Sequence, residues 1–568
     1  MKILGIWDGH DSGAALLEGN RILFAVNEER ITRRKLEIAF PHNSIEACLR
    51  YTNSAYEEIS EIAVSTLDPA KTLTRIFPSL KEEYYLIRRR KKRSGGAAFL
   101  KKRFKYRLTE YPPFVLSKWL SRRRLTGLLK GHGFHNFSLH LVDHHFSHAA
   151  AAAFCSGYEK SLVITLDGVG DGLSGSISTF NVAGGGKLER IASLPARHSF
   201  GIFFEHVTNL MNMRELEDEG KVMALANYAY PVEDDQNPLM DFIEVDGLAI
   251  QCSHTSNAMY DKMKKILWGY PTEQFAYMAQ RTLEVKVTSL VQNALKATGQ
   301  DHLCLAGGVF SNVKLNRILR LLPETKACFV FPHMGDGGLG VGAALVANYQ
   351  LNGIHQAVLS HLFLGHRWEE DEIQKALDQR ELGYRKCEDI AAEVAGLLDK
   401  GEIVFWFQGA MELGPRALGA RSILARPDSE RIKDALNLQL KKRVWYQPFC
   451  PAMFEQDAKE ILEDYRGAPD PFMTMAYMVR EDKRDLVRGV INVDNSCRPE
   501  IIPEDHPLLG KLLLEVKKLT GHAIVLNTSM NIHGEPLVCS PSDAISAFIR
   551  SKGRFMAIHS YLVTGPDA

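Results

Sequence analysis

The sequence predicts an α/β protein of two domains, and three observations carry that expectation. Short apolar runs alternate with helical patterns along most of the 568 residues. Three of those runs end in glycine-rich turns that carry Asp or small polar side chains. The composition, 45% hydrophobic and 24% charged, is that of a globular chain rather than a disordered or coiled-coil one. The length corresponds to roughly three to five lobes at about 100–200 residues each. There is no run of about 18 apolar residues. The opening segment Met1–Asp8 is too short an apolar stretch for a signal peptide, so a cytoplasmic enzyme is expected. Nine scattered cysteines with no C-x-x-C pair exclude a disulfide framework or zinc ribbon and predict reduced, buried thiols.

Residues 2–7 and 21–27 read as strands, separated by the turn Asp8-Gly9-His10-Asp11-Ser12-Gly13 and the apolar run Ala14–Leu17. Asp8, His10 and Asp11 therefore sit at a strand tip, where α/β folds expose their chemistry. Residues 71–130 break the pattern with basic runs, Gly95-Gly96 and Pro112-Pro113, and read as an insertion. Next, Ser161–Leu166 enters the turn Asp167–Gly172 and a second strand, Ser176–Val182. Leu303–Ala306 enters Gly307-Gly308 and the helical pattern Asn312–Leu321. Phe329–Phe331 enters Gly335-Asp336-Gly337-Gly338 and a small-residue helix from Val341 to about Tyr349. Glycine lets backbone N–H groups approach a phosphate, and a following helix N-terminus favours negative charge. Gly307, Gly308 and Asn312 are thus nucleotide-binding candidates. The repeated pattern suggests the two-lobed nucleotide-binding fold of the actin, Hsp70 and sugar-kinase superfamily. On these turns alone, a sugar-kinase-like phosphotransferase or an α/β enzyme with ordinary glycine turns also fits. The first domain is placed at 1–355 and the second at 356–568, where Ile403–Phe407, Arg488–Val493, Ala523–Asn527 and Phe555–Val563 read as strands.

His144 and His148 are four residues apart, so on a helix they share one face and can bind one metal ion. Asp167 and Asp336, each following a strand and preceding glycine, are the natural carboxylates to complete the set. Such a His/carboxylate mixture suits iron, zinc or manganese better than calcium. A capped helix with two polar histidines is the alternative. In the second domain Gly414–Ser422 carries Arg416 and Arg421. Lys441-Lys442-Arg443 precedes Trp445-Tyr446, Arg498 follows a strand, and Leu526–Asn531 ends a strand in small hydrogen-bonding side chains. Cations converging on strand ends suit a tri- or pyrophosphate, with Arg binding bidentately and Lys as a point charge. Solvated surface cations are the alternative, and for Lys442 the better reading. No Walker loop, Rossmann fingerprint or G-x-S-x-G elbow is present.

The net charge of +1 conceals a split. Residues 71–130 hold 19 Lys and Arg against three acids, a net +16, which leaves −15 for the rest. This segment has three readings: an internal partner for the acidic remainder or a solvated face; a surface for an anionic acceptor or membrane leaflet; or an RNA-binding arm, the least favoured.

With these residues assembled, the sequence resembles the O-carbamoyltransferase family that includes NodU, the cephamycin carbamoyltransferase CmcH and tobramycin carbamoyltransferase. The resemblance rests on Asp8-Gly9-His10-Asp11-Ser12, Glu28-Glu29-Arg30, His144-His145-Phe146-Ser147-His148-Ala149 and Glu219-Gly220-Lys221-Val222-Met223. It also rests on Gly335-Asp336, Gly414-Pro415-Arg416-Ala417-Leu418-Gly419 and Leu526-Asn527-Thr528-Ser529. It implies an actin-like (ASKHA) N-terminal domain, like the tRNA threonylcarbamoyl transferase. It further implies a C-terminal α/β domain like threonylcarbamoyl-adenylate synthase (YrdC-like). The implied reaction turns carbamoyl phosphate and ATP into carbamoyl adenylate and passes the carbamoyl group to a hydroxyl of a small molecule, antibiotic or glycan. A threonylcarbamoyl-type tRNA modifier is the alternative. By the resemblance His144, His148, Asp167 and Asp336 hold a metal, expected as Fe2+ or another divalent transition ion. His10, assisted by Asp8, is the base or positioning group for the acceptor. Arg416, Lys441, Arg443, Arg498, Asn527 and Ser529 bind carbamoyl phosphate and ATP with Mg2+, in a monomer or homodimer. One departure stands out: Gln447 occupies a position where the family commonly has arginine, and Lys442 or Arg443 is the candidate to compensate.

Overall fold

The computed structural model describes residues 1–88, 108–380 and 382–565. Contacts divide the chain into two compact units: Met1–Glu28 with Leu36–Leu359, and Glu29–Lys35 with Ser360–Ala568. The short stretch 29–35, which the sequence gives no reason to separate, thus counts with the second unit. Of the basic insertion, 89–107 lies outside the described residues.

The first unit holds two five-stranded sheets of one plan. In the first, Arg21–Asn27, Gly13–Glu18, Lys2–Trp7, Glu61–Ser65 and Ser138–Val142 lie side by side in that order. The first three run antiparallel as a meander, and the last two are parallel to Lys2–Trp7. In the second, Lys187–Pro195, Leu173–Asn181, Lys160–Gly170, His302–Ala306 and Ala327–Val330 repeat the same order and the same senses. A duplicated sheet of this order gives the unit the two lobes expected from its repeated glycine turns. The helices His144–Cys155 and Leu339–Asn352 pack on each other; the former lies against Lys160–Gly170 and the latter against Lys2–Trp7. Their runs of alanine and glycine are almost wholly buried, which lets helix and strand backbones approach closely.

The second unit is built on an eight-stranded mixed sheet. Its order is Tyr384–Lys386, Tyr561–Thr564, Phe555–Ile558, Val404–Phe407, Arg421–Ala425, Ile524–Ser529, Cys450–Phe454 and Glu500–Ile502. Strand alternation sorts its faces. Val404 and Trp406 join Val394, Leu398, Leu512 and Val516 from the helices Ile390–Asp399 and Gly510–Thr520, while Phe405 meets Phe548.

Three expected elements differ. Asp167–Gly170 continues its strand through a register shift, and only Asp171 and Gly172 turn. Arg488–Val493 is a turn after the 3-10 helix Glu481–Val487: Gly489 N–H donates to the Pro427 carbonyl, and the Val490 and Ile491 N–H groups both turn back to the Val487 carbonyl. Phe555–Val563 is a hairpin, reversed at His559 with φ 54°. Among the described residues no helix is long and apolar enough to cross a membrane, and all nine cysteines are free thiols.

Candidate functional site

The four expected metal-type ligands come from separate elements of the first unit. Asp143 accepts the Phe146 N–H and caps the helix that carries His144 and His148 on one face. Asp167 lies in the strand Lys160–Gly170, and Asp336 opens the turn before Leu339–Asn352. One donor atom from each lies within 4.8 Å of all the others. His144 Nε2 stands 3.2 Å from Asp167 Oδ2 and 3.6 Å from Asp336 Oδ1; His148 Nε2 is 4.0 and 3.6 Å from the same oxygens. A cation with bonds near 2.1 Å needs ligand separations of about 3.0–3.4 Å, so the set fits with small adjustments. Two atoms favour the same conclusion: His148 Nε2 and Asp336 Oδ1 are buried and have no hydrogen-bond partner among the described residues. Two nitrogens and two carboxylates suit a transition-type divalent ion.

The surroundings fix these donors. Thr66 Oγ1 lies 2.9 Å from His144 Nδ1, leaving Nε2 as the ligand atom, and Asp171 accepts the His144 backbone N–H. A Cβ on Gly170 would fall 2.2 Å from the His144 ring, so only glycine lets the ring lie there. Gly308 N–H donates to Asp167 Oδ1 at 3.0 Å. Burial opposes both carboxylate charges. Asp336 is held well above the usual range by burial and by Asp167; Asp167 stays well below it because His144 and His148 outweigh burial. Burial opposes the His144 charge too, yet Asp336 and Asp167 hold that imidazole up at about 9. A divalent ion would resolve this conflict by taking over the role of the proton.

His10 stands beside this cluster, with Nδ1 3.5 Å from Asp336 Oδ2 and a third of its side chain exposed. Asp8 does not assist it. The Asp8 carboxylate is gripped bidentately by Arg75, whose Nε and Nη2 donate at 2.9 Å, and Lys71 Nζ lies 2.9 Å from Oδ1. Lys81 Nζ donates to the Asp8 carbonyl at 2.8 Å. These cations hold the Asp8 carboxyl well below its ordinary range against burial. The expected Asp8–His10 pair is therefore replaced by Asp336–His10, because Asp8 points to the helices Pro69–Ile76 and Pro78–Arg88. His10, Lys71, Lys81, His144, Asp167 and Asp336 all line one cleft of about 980 Å³, its open mouth included.

Of the turn candidates, Gly307 takes φ +100° where the chain passes Leu166. Asn312 is a correction. Its oxygen caps Val313–Leu321 by accepting the Leu315 N–H, and its amide pairs with Gln280, so it is structural.

In the second unit Arg416, Arg443 and Arg498 gather around the buried Cys450 thiol, to which Arg498 donates at 2.9 and 3.2 Å. Burial first, then Arg498, pushes Arg416 down to about 9, and its Nε is buried without a partner. Burial brings Arg443 to about 10, and it lies over the Phe449 ring at 4.3 Å. Arg443 thus joins the cluster as the candidate for the arginine replaced by Gln447, while Lys442 is exposed. Lys441 is spent differently: its ammonium donates to the Ser529 carbonyl and to both oxygens of Asn531, so it braces the Ser529 turn. Asn527 is also turned inward, donating to Glu500 and the Ala417 carbonyl. Arg421 is fully buried on four backbone carbonyls and is no ligand.

The sequence missed Lys71, Arg75 and Lys81, because bulk charge assigned them to an insertion; the one available signal was Asp68-Pro69, a helix start directly before them. It also missed Thr66 and Asp171, whose roles depend on backbone partners far along the chain.

Comparison with known proteins completes the picture. Residues 2–345 match the carbamoyltransferase N-terminus family and 395–565 the carbamoyltransferase C-terminus family. An uncharacterized protein of Methanocaldococcus jannaschii is 31% identical, with 99% of each chain covered. Nodulation protein NolNO of Sinorhizobium fredii is 30% identical over 98% of this chain and 79% of its own. Among solved structures, full-length HypF in its phosphate- and nucleotide-bound form aligns at 15% identity and TM-score 0.34, covering 63% of this chain and 56% of that one. With family matches across both units and a relative aligned from end to end, the chain belongs to the carbamoyltransferase family, of the NodU type.

Proposed function

We propose that this carbamoyltransferase is ATP-dependent and acts on a hydroxyl acceptor, through carbamoyl adenylate. In the second unit water cleaves carbamoyl phosphate to carbamate and phosphate. A carbamate oxygen then attacks the α-phosphorus of ATP and expels pyrophosphate. Arg416, Arg443 and Arg498 offset the crowded phosphate charge, with Mg2+ accompanying the nucleotide. In the first unit the acceptor hydroxyl attacks the carbamoyl carbon, the bond to the phosphate oxygen breaks, and AMP leaves with that electron pair. The hydroxyl proton passes to His10, whose Nδ1 faces Asp336 and whose Nε2 is then the basic atom. Held by His144, His148, Asp167 and Asp336, a divalent ion such as Fe2+ would supply Lewis acidity to the adenylate.

The observation that supports this reading best is the division of Asp336: Oδ1 faces the ligand cluster and Oδ2 faces His10. One carboxylate thus ties a base to a charge-stabilising centre within the same cleft. The test is incubation with ¹⁴C-carbamoyl phosphate and ATP across sugars, aminoglycosides, lipid-linked glycans and tRNA. Pyrophosphate, AMP and a labelled alcohol are expected. Formation of ADP would point to a kinase, and label on RNA alone to a tRNA modifier. His10→Ala should lower transfer about 10²–10⁴-fold, the usual weight of one acid–base group.

A further inference from the structure

The cations around Asp8 exceed what Asp8 needs. Arg75 alone neutralises it, and all its donors are used: two on the carboxylate, the others on the Ser65 and Thr66 carbonyls and Ser121 Oγ. Lys71 and Lys81 are then surplus. Their side chains are 8% and 7% exposed, and both line the cleft that holds His10 and the ligand cluster. Lys71 Nζ touches one Asp8 oxygen and lies 4.1 Å above the Trp7 ring, with no hydrogen bond of proper geometry. Lys81 Nζ donates to a backbone carbonyl and is 3.9 Å from the carboxylate. Asp68 caps the helix Pro69–Ile76 by accepting the Lys71 N–H, and Glu205 belongs to the helix Phe200–Leu210. Among the described residues the one acid paired with either ammonium group is Asp8, already held by Arg75, and two nearly buried cations sharing it are costly unless an anion arrives.

We propose that the hydroxyl acceptor is itself anionic, bearing a phosphate or carboxylate that Lys71 and Lys81 bind beside His10. This rests on the carbamoyl-transfer reading above and names its substrate class. The shared chemistry is an oxyanion held by two lysines: on the acceptor it sets acceptor specificity, whereas on the donor it would be the adenylate phosphate. The acceptor is favoured because an ion held by His144, His148, Asp167 and Asp336 would give the donor phosphate a cationic centre of its own. Burial lowers both lysines against the pull of Asp8, Lys71 to about 7; Lys81 and Arg75 add to it at Lys71, and Arg75 and Arg124 at Lys81.

The experiment supplies ATP and ¹⁴C-carbamoyl phosphate with matched pairs: glucose and glucose 6-phosphate, glycerol and glycerol 3-phosphate, galactose and galacturonate. Pyrophosphate release and label in the alcohol are followed separately. The anionic members should be preferred at least about tenfold in kcat/KM, with a KM that rises with salt. Lys81→Met should raise that KM about 10–100-fold with a smaller change in kcat, and Lys81→Arg should restore most of it. Equal use of neutral partners, transfer to neither member of any pair, or a KM change confined to carbamoyl phosphate or ATP would each overturn the proposal. No pyrophosphate release under any condition would instead sink the adenylation reading beneath it.

Discussion

At the scale of single residues, buried charge weighs on stability around Asp8. Lys71 has a folded pKa pushed to about 7 by burial, against an unfolded value near 10.5. Between those values the unfolded chain binds the extra proton. The penalty is therefore complete below about pH 7 and is relieved as pH rises towards 10.5. Lys71→Met should stabilise the ligand-free protein by about 1–2 kcal/mol at pH 7, an order of magnitude typical of replacing a buried charge. That gain should shrink in urea melts at pH 9.5; an equal or larger gain there would contradict the assignment. Asn312 offers a separate check. Asn312→Ala should cost about 1 kcal/mol through the lost cap, with the KM for ATP unchanged. Asn312→Ser, which keeps a capping oxygen, should recover part of it.

At the scale of elements, the ligand cluster depends on where backbones pass. The strand Lys160–Gly170 brings Asp167 and Gly170 under the helix that carries His144, and there is no room for a methyl group at Gly170. Gly170→Ala should displace the His144 ring, so metal content by elemental analysis should fall from about one equivalent to a small fraction while the far-ultraviolet spectrum is retained. Chelator treatment of the wild type should abolish transfer, and a divalent transition ion should restore it. These elements also show what a sequence can convey. The four clustered side chains were legible because histidines four apart mark one helix face, and Asp-Gly after an apolar run marks a strand end. Their neighbours were not. Arg75 meets Asp8 across 67 residues, and only the sheet order that places Glu61–Ser65 beside Lys2–Trp7 brings the following helix over that strand tip. Asn312 and Asn527 show the opposite limit: their type and position fit a ligand, but their N–H groups go to Gln280 and to Glu500 and the Ala417 carbonyl, partners far along the chain. Composition likewise hid Lys71 and Lys81 within a basic average.

At the scale of the whole molecule, residues 29–35 belong with a unit whose remaining residues begin at Ser360. Arg30 donates to the Gly414 carbonyl at 2.7 Å, and Arg33 donates to the Pro536 and Leu537 carbonyls at 2.9 and 2.5 Å. Charged donors to buried carbonyls are worth about 1.5–3 kcal/mol each. Arg33→Ala should therefore lower the unfolding free energy of the second unit by about that amount, read by hydrogen exchange on the strand Ile524–Ser529. A fragment beginning at residue 360 should melt below the intact chain for the same reason; equal melting would show that 29–35 adds nothing.

That shared segment also sets an order of events during synthesis. The ribosome releases residues 29–35 more than 500 residues before the sheet that receives them is complete. The first unit can close its own sheets while this stretch waits, with Arg30 and Arg33 lacking their carbonyl partners. Tyr561–Thr564 is the last, in chain order, of the eight strands of the second unit's sheet. A message cut short before that strand would thus leave the earliest-made piece of the second unit without its full partner sheet.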